Sequence, residues 1–455
     1  MLPRSAFRIR AHTCLRSSSA PLRPILPYHY PLHLLRASPS PQRFSSTTSI
    51  PASSLQFGQP LHETHPHLLN PGELTPGITA LEYDARRAAL AARLPPNGIA
   101  LLSASDLKYR SGAVFYEFHQ NPDFLYLTGF KEPQAIALIQ RTSPASSSQI
   151  EYTFHLALRS KCARTELWEG PRSGLQAAID VFNADTFSDI AHLDSELTDM
   201  LASAPEVFTD LLPASTPATT LSRLLKPTPP DNDALTSILS SRTVSPLRPL
   251  LNDLRAFKSE AEIANMRRAG KASGRAFTSA MAQSWQTEKS LAAYLAYNFK
   301  NNGCDGDAYV PVVAGGRNAL AIHNVRNDAR LAPEELVLVD AGGEWGGYIT
   351  DITRTFPSRG KFAPAQRELY EVVLNTQRRL VSLCKEKEGL SLDELHAQAE
   401  KSLRSDLEGL GFDMSGNVRG HFKEDGGYRG VTNGRDNVIG DEDPVPSSCE
   451  PPYRS

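Results

Sequence analysis

The sequence predicts two folded domains, the first of them α/β, and three observations carry that expectation. The chain has 455 residues, more than one core of ordinary size uses and enough for two. Between Thr79 and Ser245 short apolar, β-type runs alternate with helical patterns, the order of an α/β domain. Beyond Leu254 two long helical patterns lead into a β-rich segment with a glycine cluster at its centre, and further helices follow, the material of a second folded domain.

In chain order, the first fifty residues stand apart. They hold seven arginines (Arg4, Arg8, Arg10, Arg16, Arg23, Arg36, Arg43), many serines and no acid; the first carboxylate is Glu63. That composition predicts a mitochondrial transit peptide over residues 1–50, because the matrix-negative potential draws cationic segments inward. Arg43-Phe44-Ser45 is the expected processing site, and a disordered basic arm is the alternative. Residues 51–78, rich in Pro and His, read as a linker or as an arm laid over the fold. His62, His65 and His67 lie there without the acid or cysteine pattern of a metal site.

The first folded domain is expected over residues 79–245. Leu81, Ala85, Ala88, Ala89 and Ala92 repeat at helical spacing up to the Leu94-Pro95-Pro96-Asn97-Gly98 stop, and Ile99-Ala100-Leu101-Leu102 then reads as a buried strand. Phe124–Leu127, Ala135–Ile139 and Tyr152–Leu158 are further strand candidates, with helical patterns over Gly174–Phe182 and Asp233–Leu239. Pro and Thr crowd residues 213–230, which marks a surface loop.

The second domain is expected over residues 250–419. Ser259 precedes Glu262 by three, a capping box, and Ile263, Met266, Gly270, Phe277 and Met281 mark one face of the helix that follows. A second helix starts after Thr287, carries Leu291, Tyr294, Leu295 and Phe299, and stops at Gly303. Tyr309–Val313 reads as a strand running into Gly315-Gly316, a pair too sparse for a phosphate loop. Leu369–Leu383 and a segment capped by Ser391 and Glu394 are the last helices.

Between them lies Glu335–Phe356, where an apolar run ends on Asp340, a glycine cluster turns the chain, and a second β-rich run carries Asp351. This is the signature of a hairpin. If the turn centres on Trp345-Gly346, Asp340 falls opposite Asp351 on one face, with their Cβ atoms roughly 5 Å apart. Adjacent carboxylates in an apolar setting resist ionisation unless a cation lies between them, and hard oxygen ligands suit a divalent ion such as Mn²⁺ or Mg²⁺. The alternative is a plain hairpin, one aspartate closing a strand and the other satisfied by a backbone cap.

A net charge of -2 points to no nucleic-acid partner, and no apolar run approaches the ~20 residues of a membrane span. Five cysteines (Cys14, Cys162, Cys304, Cys384, Cys449) are scattered without a C-x-x-C pair, which fits a reducing compartment rather than a disulfide framework.

Four stretches together carry a family resemblance: Asp123–Phe130, Arg164–Gly170, Val313–Gly316 with Ile322-His323, and the two-aspartate hairpin with Thr353-Arg354-Thr355-Phe356-Pro357. They resemble the aminopeptidase P family of metallopeptidases. His65–Leu69 and Gly72–Gly77, with the transit peptide, resemble its mitochondrial intermediate-cleaving, Xaa-Pro aminopeptidase branch. The resemblance implies an aminopeptidase P N-terminal α/β domain followed by an α+β pita-bread catalytic domain. It also implies metal-dependent removal of an N-terminal residue from peptides or newly imported proteins in the mitochondrial matrix. Asp340 and Asp351 would be metal ligands for two Mn²⁺ ions, with Co²⁺ or Zn²⁺ as substitutes, and His323 would contact the substrate or the tetrahedral intermediate. Peptide or protein N-termini are the implied partners, and a homodimer the implied assembly.

The family completes its metal pair with a histidine and two glutamates further along. Here the resemblance fades after Ser415-Gly416-Asn417, and residues 420–455, with many Gly and Pro and no strand-length apolar run, read as a disordered tail. His421, Glu424, Glu442 and Glu450 receive no ligand role. The expectation is an incomplete pita-bread domain, ending in a frame-shifted, intron-derived or alternatively spliced C-terminus. The rival function is therefore a non-catalytic, metal-poor binding protein.

Overall fold

The computed structural model describes residues 55–144, 150–202, 204–211, 239 and 242–414. The expected Asp233–Leu239 helix falls almost wholly outside them, as do the transit peptide and the tail. The chain divides into two compact units, one running to Ala332 and including Val337–Thr355, the other made of Pro333–Leu336 and the chain from Phe356 on.

In the first unit an arm forms β1 (Glu73–Thr75) and β2 (Ile78–Thr79), burying Leu61, Leu69, Leu74 and Ile78. Thr79 then caps α1 (Ala80–Ala91) by accepting from Glu82 N. There follow β3 (Ile99–Ser103), β4 (Tyr109–Ser111), β5 (Val114–Phe115), α2 (Pro122–Thr128), β6 (Ile136–Arg141), β7 (Tyr152–Leu158), α3 (Ala163–Glu169), α4 (Ala177–Asp180), β8 (Thr186–Asp189), α5 (Leu193–Ala202), β9 (Val207–Phe208) and β10 (Val244–Ser245). Six of these strands form a mixed sheet in the order β10-β9-β3-β6-β7-β8. Strand alternation divides its side chains between two faces. Ala100, Leu102, Ile139, Phe154 and Leu156 meet α1, α2 and α4 in one core, while Ile99, Leu101, Leu138 and Ala157 meet Leu193, Leu197 and Leu201 of α5 in the other.

Phe124–Leu127, expected as a strand, lies in helix α2. The Asn121 side chain accepts from Asp123 N and Phe124 N, Pro122 occupies the first turn, and Gly129 closes the helix at φ 68. Those start and stop signals outweigh the β propensity of Phe and Tyr.

The same unit continues with α6 (Arg248–Ala256), α7 (Glu260–Met281), α8 (Glu288–Asn301), β11 (Gly306–Asp307), β12 (Val312–Gly315), β13 (Leu336–Ala341), β14 (Gly343–Trp345), β15 (Tyr348–Ile349) and β16 (Ile352–Pro357). The strands form two three-stranded sheets, β11-β14-β15 and β12-β13-β16. Ser259 and Glu262 form the expected capping box. The face that α7 buries is not the expected one: Glu262, Asn265, Ala269, Ala272, Ser273 and Ala276 are buried with Phe277, while Met266 is exposed. Likewise α1 buries Tyr83, Arg86 and Arg87 and leaves Leu81 out.

Both helices turn polar side chains inward because they meet at a hydrogen-bonded seam. Arg86 pairs with Glu82 at 2.6 Å and Glu262 at 3.5 Å, donates to Tyr126 O at 3.1 Å and reaches the Tyr348 hydroxyl at 3.3 Å. Tyr348 donates to Glu262 at 2.8 Å, Ser259 Oγ to Glu82 at 2.7 Å, and Asn265 Nδ2 to Pro76 O at 2.6 Å. The seam thus ties the α/β domain to α7 and to the β15 strand.

The second unit is built on α9 (Pro364–Leu383) and α10 (Leu392–Gly409), the latter capped by Ser391 and Glu394 as expected. Within α9, Val372 and Thr376 are buried. Gln366 ties the start of α9 to Glu334 O at 2.6 Å.

Candidate metal centre

β13 alternates cleanly: Val337, Val339 and Ala341 are buried, and Asp340 lies half-buried on the opposite face. β12 runs antiparallel to it with Val312 opposite Asp340, and Tyr309 lies three residues before Val312. Tyr309 thereby meets both aspartates. Its hydroxyl bonds to Asp340 Oδ1 and lies 3.1 Å from Asp351 Oδ1.

The glycine cluster brings Asp351 there. Gly346 and Gly347 both have positive φ, 61 and 86, the requirement of a two-residue type I′ turn. Glu344 consequently faces Ile349 and Trp345 faces Tyr348. The turn therefore centres on Gly346-Gly347, one residue beyond the expected Trp345-Gly346, because Trp345 carries a Cβ and Gly347 does not. The expected direct pairing of Asp340 with Asp351 across one continuous hairpin does not hold: β13 and β14 belong to different sheets. The chain breaks between them at Gly342, where an added Cβ would lie 1.8 Å from Thr350 O. Thr350 N donates to Gly343 O at 3.1 Å, and Gly343 N bonds to Ser273 Oγ at 3.0 Å and Thr350 Oγ1 at 3.1 Å. Asp351 follows directly. Over Gly343 sits the buried Cys304, whose Sγ would be 2.5 Å from a Cβ there.

The electrostatics match the geometry. Burial raises the Asp340 carboxyl above its ordinary value; Tyr309's hydrogen bond opposes this, and the like charge of Asp351 adds to it. Burial, then the bond to Asp340, raises the Tyr309 hydroxyl far above its ordinary range. One phenolic hydrogen serves two carboxylates, so the trio lacks positive charge. Two hard carboxylate oxygens aimed at one point are the donor chemistry of a divalent cation. The residues present fit such an ion as two of its ligands; among the described residues no group of three or more His, Cys, Asp or Glu converges.

His323 lies exposed on the segment between Gly315 and Ala329. Its imidazole is near enough to Asp340 to favour the ionised carboxylate. Asp340 and Asp351 are thus brought together on the Tyr309 hydroxyl, whereas His323 is linked to them through its electrostatic effect on Asp340 alone. Tyr309 was missed as a site residue, since nothing in its local sequence marks it and only the β12–β13 register places it against the aspartates.

Two family models match the chain: metallopeptidase family M24 over residues 264–431, and the aminopeptidase P N-terminal domain over residues 83–208. The chain is 42% identical over 374 residues to intermediate cleaving peptidase 55 of Saccharomyces cerevisiae, covering 81% of this chain and 72% of that protein. It is 34% identical over 357 residues to the mitochondrial intermediate cleaving peptidase 55 of Arabidopsis thaliana, covering 78% and 68%. A crystal structure of the Saccharomyces cerevisiae Icp55 superposes with a TM-score of 0.67 at 38% identity, covering 76% of this chain and 77% of that one.

Proposed function

The chain belongs to metallopeptidase family M24, in its aminopeptidase P branch, and from that premise we propose that this aminopeptidase trims one N-terminal residue from proteins newly imported into the mitochondrial matrix. An aminopeptidase N-terminal domain and a pita-bread domain, a divalent metal and action on peptide or protein N-termini come with the family. The finer reading draws on the intermediate-cleaving relatives and on the acid-free, arginine-rich residues 1–50. Import followed by cleavage after Phe44 is the route we propose; N-terminal sequencing of the mitochondrial species tests it, and a chain still beginning near Met1 would refute it.

The observation that carries the site is the convergence of Asp340 and Asp351 on the Tyr309 hydroxyl. We assign both aspartates as ligands of the metal, with Mn²⁺ the proposed ion and Co²⁺ or Zn²⁺ its substitutes. Bound there, a divalent cation supplies Lewis acidity toward the scissile carbonyl and toward water. Tyr309 holds the two carboxylates in one orientation. His323, exposed beside Asp340, is free to donate an N–H to the oxygen on which negative charge develops as the carbonyl is attacked. A homodimer is the proposed assembly, in keeping with the exposed Leu167 and Trp168 on α3.

The family and the relatives favour the enzyme over a metal-poor binding protein. The deciding experiment measures bound manganese and release of the first residue from peptides with and without proline at the second position. Fewer than about 0.1 equivalents of Mn²⁺ at micromolar excess, together with no release, would sink the assignment.

A further inference from the structure

The segment that carries His323 has almost no apolar anchor of its own. Leu320, Ile322 and Val325 are all exposed, so polar ties must hold it. Asn327 makes one of them: its Oδ1 accepts from Val313 N at 2.8 Å and its Nδ2 donates to Pro311 O at 2.7 Å. The other is a carboxylate with no solvent exposure. Glu288, at the start of α8, is 0% exposed, and among the described residues the hydrogen bonds to its side chain come from the two feet of this segment. Gly315 N and Asn318 Nδ2 reach Oε1 at 3.0 and 2.8 Å, and Ala329 N reaches Oε2 at 3.0 Å. Its own N–H returns a bond to Ala329 O at 3.0 Å.

A buried carboxylate is expensive unless its oxygens are saturated with donors. Here the first turn of α8 supplies a favourable dipole, and three N–H groups from both ends of one loop supply the donors. The same bonds that satisfy both Glu288 carboxylate oxygens therefore fix the distance between Gly315 and Ala329, with His323 on the chain between them. A buried residue needed only for packing would be apolar. We propose that Glu288 is a positioning residue, a clamp on the 315–329 segment that holds His323 beside the aspartate pair; its functional part rests on the reading of His323 given above.

The test uses the full chain with manganese and two readouts. Glu288→Gln keeps the shape but turns an amide against either Ala329 N–H or the Gly315 and Asn318 donors. Hydrogen exchange of peptides spanning 315–330 should rise about tenfold or more, while β3, β6 and β7 stay protected as in the parent. Asn318→Ala, which retains the carboxylate, should raise the same exchange by a smaller factor and serves if Glu288→Gln does not fold. Exchange in the segment unchanged in both variants overturns the clamp, whatever His323 does. In turnover, Glu288→Gln should lower kcat about tenfold with a smaller change in KM, and should add little once His323 is alanine. An equal loss in both backgrounds overturns positioning through His323. Full turnover by His323→Ala alone removes the role of His323 and leaves the exchange result to decide the clamp.

Discussion

The imidazole of His119, on the loop before α2, reaches a carboxylate oxygen of Glu344 on β14 at 2.8 Å through Nε2, while its Nδ1 lies 3.0 Å from Gln120 O. Both partners are acceptors, so both ring nitrogens must carry hydrogen, and the geometry is that of an imidazolium. The Glu344 bond accordingly raises the His119 pKa above its ordinary value, against partial burial and Lys131. A histidine raised on folding stabilises fully below its unfolded value of about 6.5, and that contribution is lost as pH climbs through the folded value. His119→Gln should therefore lower the thermal midpoint at about pH 6 and cost progressively less toward about pH 9. An offset that stays constant across that range refutes the link between the α/β domain and β14.

Asp340 and Asp351 put two carboxylates on one hydroxyl, which costs stability whenever no cation is bound. Metal-free Asp340→Asn should melt roughly 2 °C or more above the parent. The parent should gain stability with added Mn²⁺ and the variant should not. A variant that melts lower, or that responds to manganese as the parent does, contradicts the assignment of Asp340.

Arg86 and Glu262 have side chains only 6% and 5% exposed. Removing one charge strands the other, so Arg86→Leu should cost about 3–5 kcal/mol in urea unfolding, and Arg86→Leu with Glu262→Gln should recover part of that loss. A double variant no better than the single would show that the pair is not coupled.

Gly342 and Gly274 make a matched comparison. A Cβ at Gly342 meets a backbone oxygen at 1.8 Å, whereas one at Gly274, inside α7, meets nothing within 4 Å. Gly342→Ala should lose about 2–3 kcal/mol or more and weaken manganese binding by moving Thr350 and Asp351. Gly274→Ala should gain roughly 0.5–1 kcal/mol from helix propensity. Equal effects at the two sites would argue against the tight break before β14.

What could be read from the sequence divides by range. β3, β6 and β7 announce themselves as apolar runs because both sides of the sheet are covered, and the capping boxes at Ser259 and Ser391 are local chemistry within four residues. The buried faces of α1 and α7 could not be read from apolar spacing, since Arg86, Glu262 and Asn265 go inward for partners distant in the chain. In the site, Asp340, Asp351 and His323 stood out through their motifs. The turn register was misplaced by one residue because Trp345-Gly346-Gly347 offers two candidate centres, and only the positive φ of Gly347 decides between them. Tyr309 and Glu288 act across strand pairing and loop closure, which no short window contains.

Cys304 makes the β14 region self-reporting. Burial, with help from Asp305, pushes its thiol up to about 11, so little thiolate exists at neutral pH, and Gly343 closes over the sulfur. Cys162 is exposed, and hydrogen bonds from Thr165 and Arg164 lower its pKa. A thiol reagent therefore meets two clocks in one molecule. Cys162 reacts at a rate set by reagent concentration, whereas Cys304, once reagent is plentiful, reacts no faster than the backbone over it parts. Oxidative damage in the cell would be recorded at Cys162 before Cys304, and modification at Cys304 would count openings of the strand next to the aspartates.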